Sequence, residues 1–411
     1  MDDYMDEIIA VGMGDYLQIC LAPSLVRMQG QNLVNVVATV DVRERTETDP
    51  FLGVPHLRRR EDQKLSDLLL NFRPNDPVVI LGHANEVHTS DAEDLLKNGF
   101  RVMVEKPYAV DDYQFETIKQ LVGDYPVIAL LESFLASYST PLLALDSLIK
   151  GNSFYFDGDL ALQTPGGDPF TPDLTRRIED IIGKPMSVTV EILEGDELYG
   201  TLDHRGPHLI DVSKGGGMIP DLAIHTIAPV MALEEYLGRV KVEEAVVRTA
   251  RCDEYITMAK TKHDLPIELI GETCAEMDLE TDAGVPVHLS MGKYIGKGNN
   301  RRMVVEGQLG TLYLNLTDCS LTLKLPNESP KPIIKLPSEY RYDAVIRAGL
   351  GLVSGDNSSV GLASGGNPFY LDPNQIALRA QRFVLDTVKG IDYGPKGMVT
   401  YKQGVSPGMV F

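Results

Sequence analysis

The sequence predicts an α/β protein: a doubly wound parallel sheet at the N-terminus, then an α+β domain with a large, mostly antiparallel open sheet. Three observations carry this. Short apolar strands at 8–11, 35–41, 77–82 and 102–104 alternate with helix-spaced stretches or connections long enough for crossovers. A glycine turn, Gly12-Met13-Gly14, separates the first strand from the first helix. From Val242 to Leu325 the pattern changes to a series of short strands joined by turns.

Composition narrows the function class. The 411 residues are 43% apolar and 24% charged, enough for two domains with full cores. A net charge of −21 excludes the basic footprint that nucleic acid or an anionic membrane surface requires. Four scattered cysteines, Cys20, Cys252, Cys274 and Cys319, show no C-x-x-C spacing, so neither a disulfide framework nor a metal site is expected. The acidic start, Asp2-Asp3-Tyr4-Met5-Asp6-Glu7, lacks the positive region of a signal peptide, and no apolar run has membrane-spanning length. A cytoplasmic location is expected.

Along the chain, Ile8-Ile9-Ala10-Val11 reads as a buried strand and Leu17, Leu21, Leu25 and Met28 as the apolar stripe of a helix. Between them Gly12, Met13, Gly14, Asp15 and Tyr16 form a turn whose glycines let a pyrophosphate approach backbone N–H groups. Leu17 occupies the place of the third small residue of G-x-G-x-x-G. The strand 35–41 closes on Asp41, placed to accept hydrogen bonds from adenosine ribose hydroxyls and to repel a 2′-phosphate. Arg43 and Arg45 either form a solvated turn or offset that repulsion. The cofactor expected is NAD, with NADP possible. The strand 77–82 leads into His83, Asn85 and His88, with a helix from Thr89 to the C′ glycine Gly99. His88 serves there as a cofactor contact or as a helix-start residue facing solvent. The strand 102–104 then runs into Glu105-Lys106-Pro107, an acid, an amine and a forced turn at the carboxyl edge of the sheet, where open α/β sheets bind ligands. A helix at 111–122 and a strand at 127–132 ending in Glu132 complete the domain.

Glu105-Lys106-Pro107 resembles the Glu-Lys-Pro motif of the Gfo/Idh/MocA oxidoreductases, the glucose-fructose oxidoreductase and inositol dehydrogenase family. Gly215-Gly216-Gly217 followed by Asp221 and His225 resembles that family's glycine run and D-x-G-x-H, with Ala223 replacing its glycine and Ala228 a second aspartate. Pro220 suits the first turn of a helix running to Gly238, and Asp221 and His225, four apart, share one face of it. Asn85 and His88 match the family's asparagine and histidine, whereas His83 and Ala84 depart from its threonine and proline. The resemblance covers residues 8 to 390 with gaps. It implies an N-terminal Rossmann domain over 1–132, a substrate-binding and oligomerisation domain over 133–390, and a tail over 391–411. Residues 151–175 are an insertion, either a lid or a surface loop.

From the resemblance follows hydride transfer between NAD(P) and a hydroxyl or keto carbon of a sugar, amino sugar or cyclitol. Lys106 would stabilise the developing alkoxide, His225 would take the proton, and Asp221 would orient His225 or bind a hydroxyl. Glu105 would be positional and Glu132 would lie beside the nicotinamide. His204, Arg205 and His208 are substrate-contact candidates, a homodimer or homotetramer through the second sheet is expected, and no metal is. Two alternatives remain: a redox-neutral isomerase, epimerase or glycosidase that keeps its NAD bound, and a non-catalytic NAD-binding regulatory protein on the same fold.

Overall fold

The computed structural model describes the chain except residues 1–4, 15–16, 46–49, 61, 132–153, 157–158, 163–173, 196–209, 294–299, 318–319, 336–340, 355–371, 395 and 403–410. The described chain divides into two compact units, Met1–Ala136 with Glu339–Asn367, and Ser137–Ser338 with Pro368–Phe411.

In the first unit β1 (Asp6–Val11), α1 (Ala22–Gly30), β2 (Val34–Asp41), β3 (His56–Arg58), α2 (Leu65–Leu69), β4 (Val78–Leu81), α3 (His88–Lys97), β5 (Arg101–Glu105), α4 (Asp112–Asp124) and β6 (Ile128–Leu131) follow in order. Every strand pairing is parallel, and the order is β3-β2-β1-β4-β5-β6. The doubly wound sheet is therefore present, with its reversal of strand order between β1 and β4. Helices cover both faces of such a sheet, which is why β4 and β5 are buried along their whole length and read as unbroken apolar runs. Strand β3 escaped the sequence reading: three residues, His-Leu-Arg, carry no apolar pattern and gain strand character only by pairing with β2. Asp111 caps α4 by accepting a hydrogen bond from Gln114 N at 2.8 Å.

The helix Arg341–Ser354 lies in sequence terms inside the expected second domain, yet it packs on β5 and β6 of the first unit. Gly349 explains the fit, because a Cβ there would stand 2.2 Å from Met103 Cε and 2.8 Å from Leu131 Cδ2. The fully buried Asp343 of this helix is held by Arg27 of α1 through Nε at 3.1 Å.

In the second unit a nine-stranded mixed sheet has the order β16-β15-β14-β13-β9-β12-β11-β10-β17. Its members are β9 (Pro185–Glu194), β10 (Val246–Cys252), β11 (Cys274–Glu280), β12 (Pro286–Lys293), β13 (Asn300–Gly307), β14 (Thr311–Asn315), β15 (Ser320–Lys324), β16 (Lys331–Lys335) and β17 (Val399–Tyr401). Only the β9–β12 and β10–β17 pairings are parallel, so the sheet is mostly antiparallel as expected. A separate hairpin, β7 (Phe154–Phe156) with β8 (Asp159–Leu162), lies within the insertion read as irregular.

Other expectations need correcting. The stretch read as β-rich after residue 242 contains the helix Asp253–His263, whose acidic first turn and basic last turn suit a helix dipole that strand counting ignores. In the tail, to which the sequence assigns no element, β17 adds an edge strand to β10. Instead of one helix from Pro220 to Gly238 there is a wide π-helical turn, Ile219–Ala223, then an α-helix Ile224–Ala232 and a short helix Glu234–Leu237. Every residue of Ile224–Ala232 is buried. The closing helix Pro373–Lys389 packs against it, and Arg379 grips Glu234 through two hydrogen bonds of 2.7 and 2.6 Å. The glycine- and serine-rich run 354–368 and the helically periodic run 142–150 fall almost wholly outside the described residues.

Candidate functional site

In the first unit the candidate residues surround a backbone cradle. Gly12 has φ +86° and its N–H donates to Val40 O at 2.8 Å, while a Cβ on it would strike the backbone of His83 at 2.5 Å. No other residue fits there without moving the end of β4. Gly14 is the opposite case: among the described residues nothing lies within 4 Å of where its Cβ would be, so on their side the turn is open. An opening beside the backbone of a glycine turn is what a pyrophosphate needs. The missing third glycine is compensated across the sheet. Leu17 is fully buried, with its Cδ1 3.5 Å from the Cβ position of Gly82, so a glycine after β4 supplies the room. The helix enters through a π-helical turn, Leu17–Leu21, before α1 begins.

Asp41 ends β2, buried, and Arg43 folds back over it. The Arg43 backbone N–H donates to Oδ1 at 2.9 Å, and its guanidinium reaches Oδ2 at 3.2 Å and Met13 O at 2.8 Å. Burial works against ionisation of Asp41, but the hydrogen bonds and charge of Arg43 outweigh it and hold the carboxyl below its usual range. Met13 is thereby tied to the acid as well as to the turn. Arg45 turns away to Thr39 Oγ1 and to the Leu52 and Val54 carbonyls.

His83, Asn85 and His88 gather at the end of β4. His83 Nε2 donates to Asp91 Oδ2 at 2.7 Å, and Arg59 clasps both oxygens of the same carboxylate. Burial would raise Asp91, yet the bonds from His83 and Arg59 prevail and keep it low. Bonding to a carboxylate fixes the His83 tautomer, and its buried Nδ1 meets no hydrogen-bond partner among the described residues. His88 stacks on His83 with ring centroids 5.1 Å apart. Its Nδ1 faces Pro107 O at 3.0 Å and its Nε2 faces His83 O at 3.1 Å. Burial, with the neighbouring His83, pushes His88 down to about 3, so the ring is neutral and its single N–H donates to one of these two carbonyls. It fastens the Lys106-Pro107 turn to the end of β4. Thr89 Oγ1 adds a bond to Tyr108 O at 2.8 Å. Glu105 is buried, Lys106 half-buried, and the Lys106–Pro107 peptide is cis. Asn85 sits half-buried in the short helical turn before α3. Asp15, Tyr16 and Glu132 lie outside the described residues.

In the second unit the candidate residues are held by side chains. Asp221 stands in the π-helical turn and His225, buried, in the first turn of the helix that follows. Lys293 Nζ donates to Asp221 Oδ2 at 2.6 Å and lies 3.5 Å from Glu194 Oε2. Glu194 in turn accepts from Arg301. Burial opposes ionisation of Glu194, and the charges of Lys293 and Arg301 overcome it, so its carboxyl sits low. The start of the helix is held from below. Gly217, at φ +115°, leaves space for the Glu272 carboxylate 2.9 Å from its Cβ position, and Ile219 N donates to Glu272 Oε1. His204, Arg205 and His208 lie outside the described residues.

Sequence reading missed Asp91, Arg59, Lys293, Glu194, Arg301 and Glu272. For the first two no local signal exists. Glu194 and Lys293 did carry one: each ends an inward stripe of alternating apolar residues with a charge, Val188, Val190, Ile192, Glu194 on β9 and Val287, Leu289, Met291, Lys293 on β12.

This arrangement defines a two-unit α/β protein with a glycine turn at the strand-order reversal of the first unit and a helix start bearing Asp221 and His225 in the second. No family model matches the sequence, and no curated protein matches it. Among solved structures, the chain is similar to KijD10, a 3-ketoreductase from Actinomadura kijaniata in complex with NADP and TDP-benzene, at TM-score 0.60 and 15% identity over 97% of this chain and 99% of that one. An oxidoreductase from Thermotoga maritima is similar at TM-score 0.61 and 16% identity, over 95% and 97%. These likenesses cover both units and establish the fold. Among the described residues no helix is long and apolar enough to cross a membrane.

Proposed function

We propose that this protein is an NAD(P)-dependent oxidoreductase of the Gfo/Idh/MocA type, exchanging hydride with a hydroxyl or keto carbon of a sugar, amino sugar or cyclitol. The observation that carries the reading is the cradle at the strand-order reversal: Gly12 pressed on His83, Gly14 open, and Lys106 one strand away at the end of β5. KijD10, a 3-ketoreductase with bound NADP, supports the cofactor and exchange of hydride with a keto carbon. Hydride acceptance or donation is the chemistry a bound nicotinamide supplies.

The chain's own residues would do the rest. Backbone N–H groups of Met13 and Gly14 would bind the pyrophosphate, with Gly12 shaping the turn. Asp41 would take the ribose hydroxyls, and Arg43, already on Asp41, would swing outward to meet a 2′-phosphate where NADP is used. The orphaned Nδ1 of His83 would accept a hydrogen bond from the dinucleotide. Lys106 would donate to the substrate oxygen, stabilising charge that grows as hydride leaves, and His225 would hold the proton. A homodimer or homotetramer through the open face of the second sheet is part of the same proposal.

The test is hydride transfer itself. Incubation with NAD or NADP and a panel of polyols, amino sugars and sugar nucleotides should raise absorbance of the reduced nicotinamide for at least one substrate. Silence across the panel, together with no nucleotide binding by calorimetry, would overturn the proposal. Product formation without net reduced nicotinamide would point to the redox-neutral alternative.

A further inference from the structure

Strands β9 and β12 run parallel with Glu194 directly opposite Lys293, both on the core-facing side of the sheet. The π-helical turn bearing Asp221 packs on β12. A period of two residues thus puts a buried ammonium, 5% exposed, under the turn. An ammonium so placed needs paired charge, since burying it alone is costly. It has two carboxylates, Asp221 at 2.6 Å and Glu194 at 3.5 Å. Its backbone is also fixed, by N–H donation to Thr273 O at 2.9 Å and acceptance from Tyr401 Oη at 3.3 Å. Arg301 completes a row of alternating charges, Asp221, Lys293, Glu194, Arg301, and sums it to zero.

We infer that Lys293 is a positioning residue of the active site, one that holds Asp221 by Oδ2 and thereby sets how strongly Asp221 supports the charge of His225 one helical turn away. The inference deepens the proposed function and rests on it for the role of His225. Three features beyond simple ion pairing carry it. The Lys293 backbone is anchored through both its N–H and its carbonyl, so its ammonium reaches Asp221 from a fixed origin on the sheet. Glu194 is already shared with Arg301, which leaves Asp221 as the close partner. The π-helical turn, a local widening that often marks functional positions, is where the bond lands. An anionic Asp221 neutralised by Lys293 offers His225 less support than a bare carboxylate would, which leaves the imidazole ready to release its proton as well as to take it.

The experiment follows the imidazole ¹⁵N resonances of His225 in the full-length protein at neutral pH. In Lys293→Met they should move toward imidazolium, corresponding to about a tenfold rise in proton affinity. Lys293→Arg should stay near wild type. In an Asp221→Asn background the same Lys293→Met change should move the resonances little. A folded Lys293→Met protein with unmoved His225 resonances would show a merely structural lysine and overturn the inference. So would a shift that persists undiminished in Asp221→Asn. Should Lys293→Met fail to fold, Glu194→Gln is read instead: with Lys293 left to Asp221 alone, the resonances should move toward the neutral ring, and absence of movement counts against the inference. Because the readout needs no turnover, a wild-type protein that transfers no hydride but shows these shifts would sink the proposed function and leave the coupling standing.

Discussion

The two units hold their candidate residues in opposite ways. In the first, the cradle is backbone: a glycine turn, a glycine after β4 and a neutral histidine that ties one strand end to the next. In the second, the turn bearing Asp221 is held by side chains drawn from three strands and a distant loop, Lys293, Glu194, Arg301 and Glu272. Backbone cradles leave local signatures because the residues that permit them are neighbours in sequence. Charge networks leave almost none, because their partners meet only when strands pair.

That contrast can be broken experimentally, and the largest effect should come from the chemistry. His225→Asn should lower kcat by about 10³ with nucleotide binding intact, since a positioned proton acceptor contributes on that scale. Lys106→Ala should cost about 10² to 10³ in kcat, the loss typical of a donor to a developing oxyanion. Steady-state kinetics with calorimetric titration of the nucleotide checks both, and a variant with wild-type kcat would remove that residue from the mechanism.

Next in size is the cradle. Gly12→Ala combines a left-handed φ with a contact of 2.5 Å to the His83 backbone, so the first unit should lose about 3 kcal/mol and the protein its nucleotide affinity. Urea unfolding followed by nucleotide titration would show this. A variant that binds nucleotide normally would mean the turn is not the cradle.

Of similar size is a pH effect confined to the second unit. Burial raises Glu272 from 4.5 to about 7, against the bond from Ile219 N and the charge of Arg251. A carboxyl whose folded pKa is raised favours the folded state while protonated. Its contribution is therefore complete below about pH 4.5 and is lost as pH climbs through 7, on the order of 3 kcal/mol in all. Glu272→Gln keeps an acceptor for Ile219 N and cannot ionise, so it should flatten stability between those limits. Chemical denaturation at pH 5 and pH 8 makes the comparison, and an unchanged difference would rule out Glu272 as its source.

The smallest effect should lie at the cofactor's far end. Arg43→Ala should weaken NADP relative to NAD by about tenfold, near 1.4 kcal/mol, because the only described guanidinium bonded to Asp41 is gone. Equal affinities in both proteins would place phosphate recognition elsewhere.

Much of the fold was legible. Unbroken apolar runs announced β1, β4, β5 and β6 because strands covered on both faces have no polar side to show. Leu17, Leu21, Leu25 and Met28 announced the first helix by spacing, and all four are buried. What failed was short or conditional. His56-Leu57-Arg58 becomes a strand only beside β2, and Val399-Thr400-Tyr401 only beside β10. The helix Arg341–Ser354 returns to the first unit for a reason no local pattern states, the fit of Gly349 against Met103 and Leu131.

The candidate site divides along the same line. Lys106, Asp221 and His225, with the glycines of the turn, are proposed from the chain alone, through spacing and through resemblance to a family's motifs, because both travel with the sequence. Left to the tertiary structure were the bonds around them: His88 neutral beneath Pro107, Lys293 on Asp221, Glu272 under the helix start. Hydrogen bonds, burial and the proton affinities they set depend on distances between residues tens to hundreds apart in sequence, and those distances exist only once the sheets have formed.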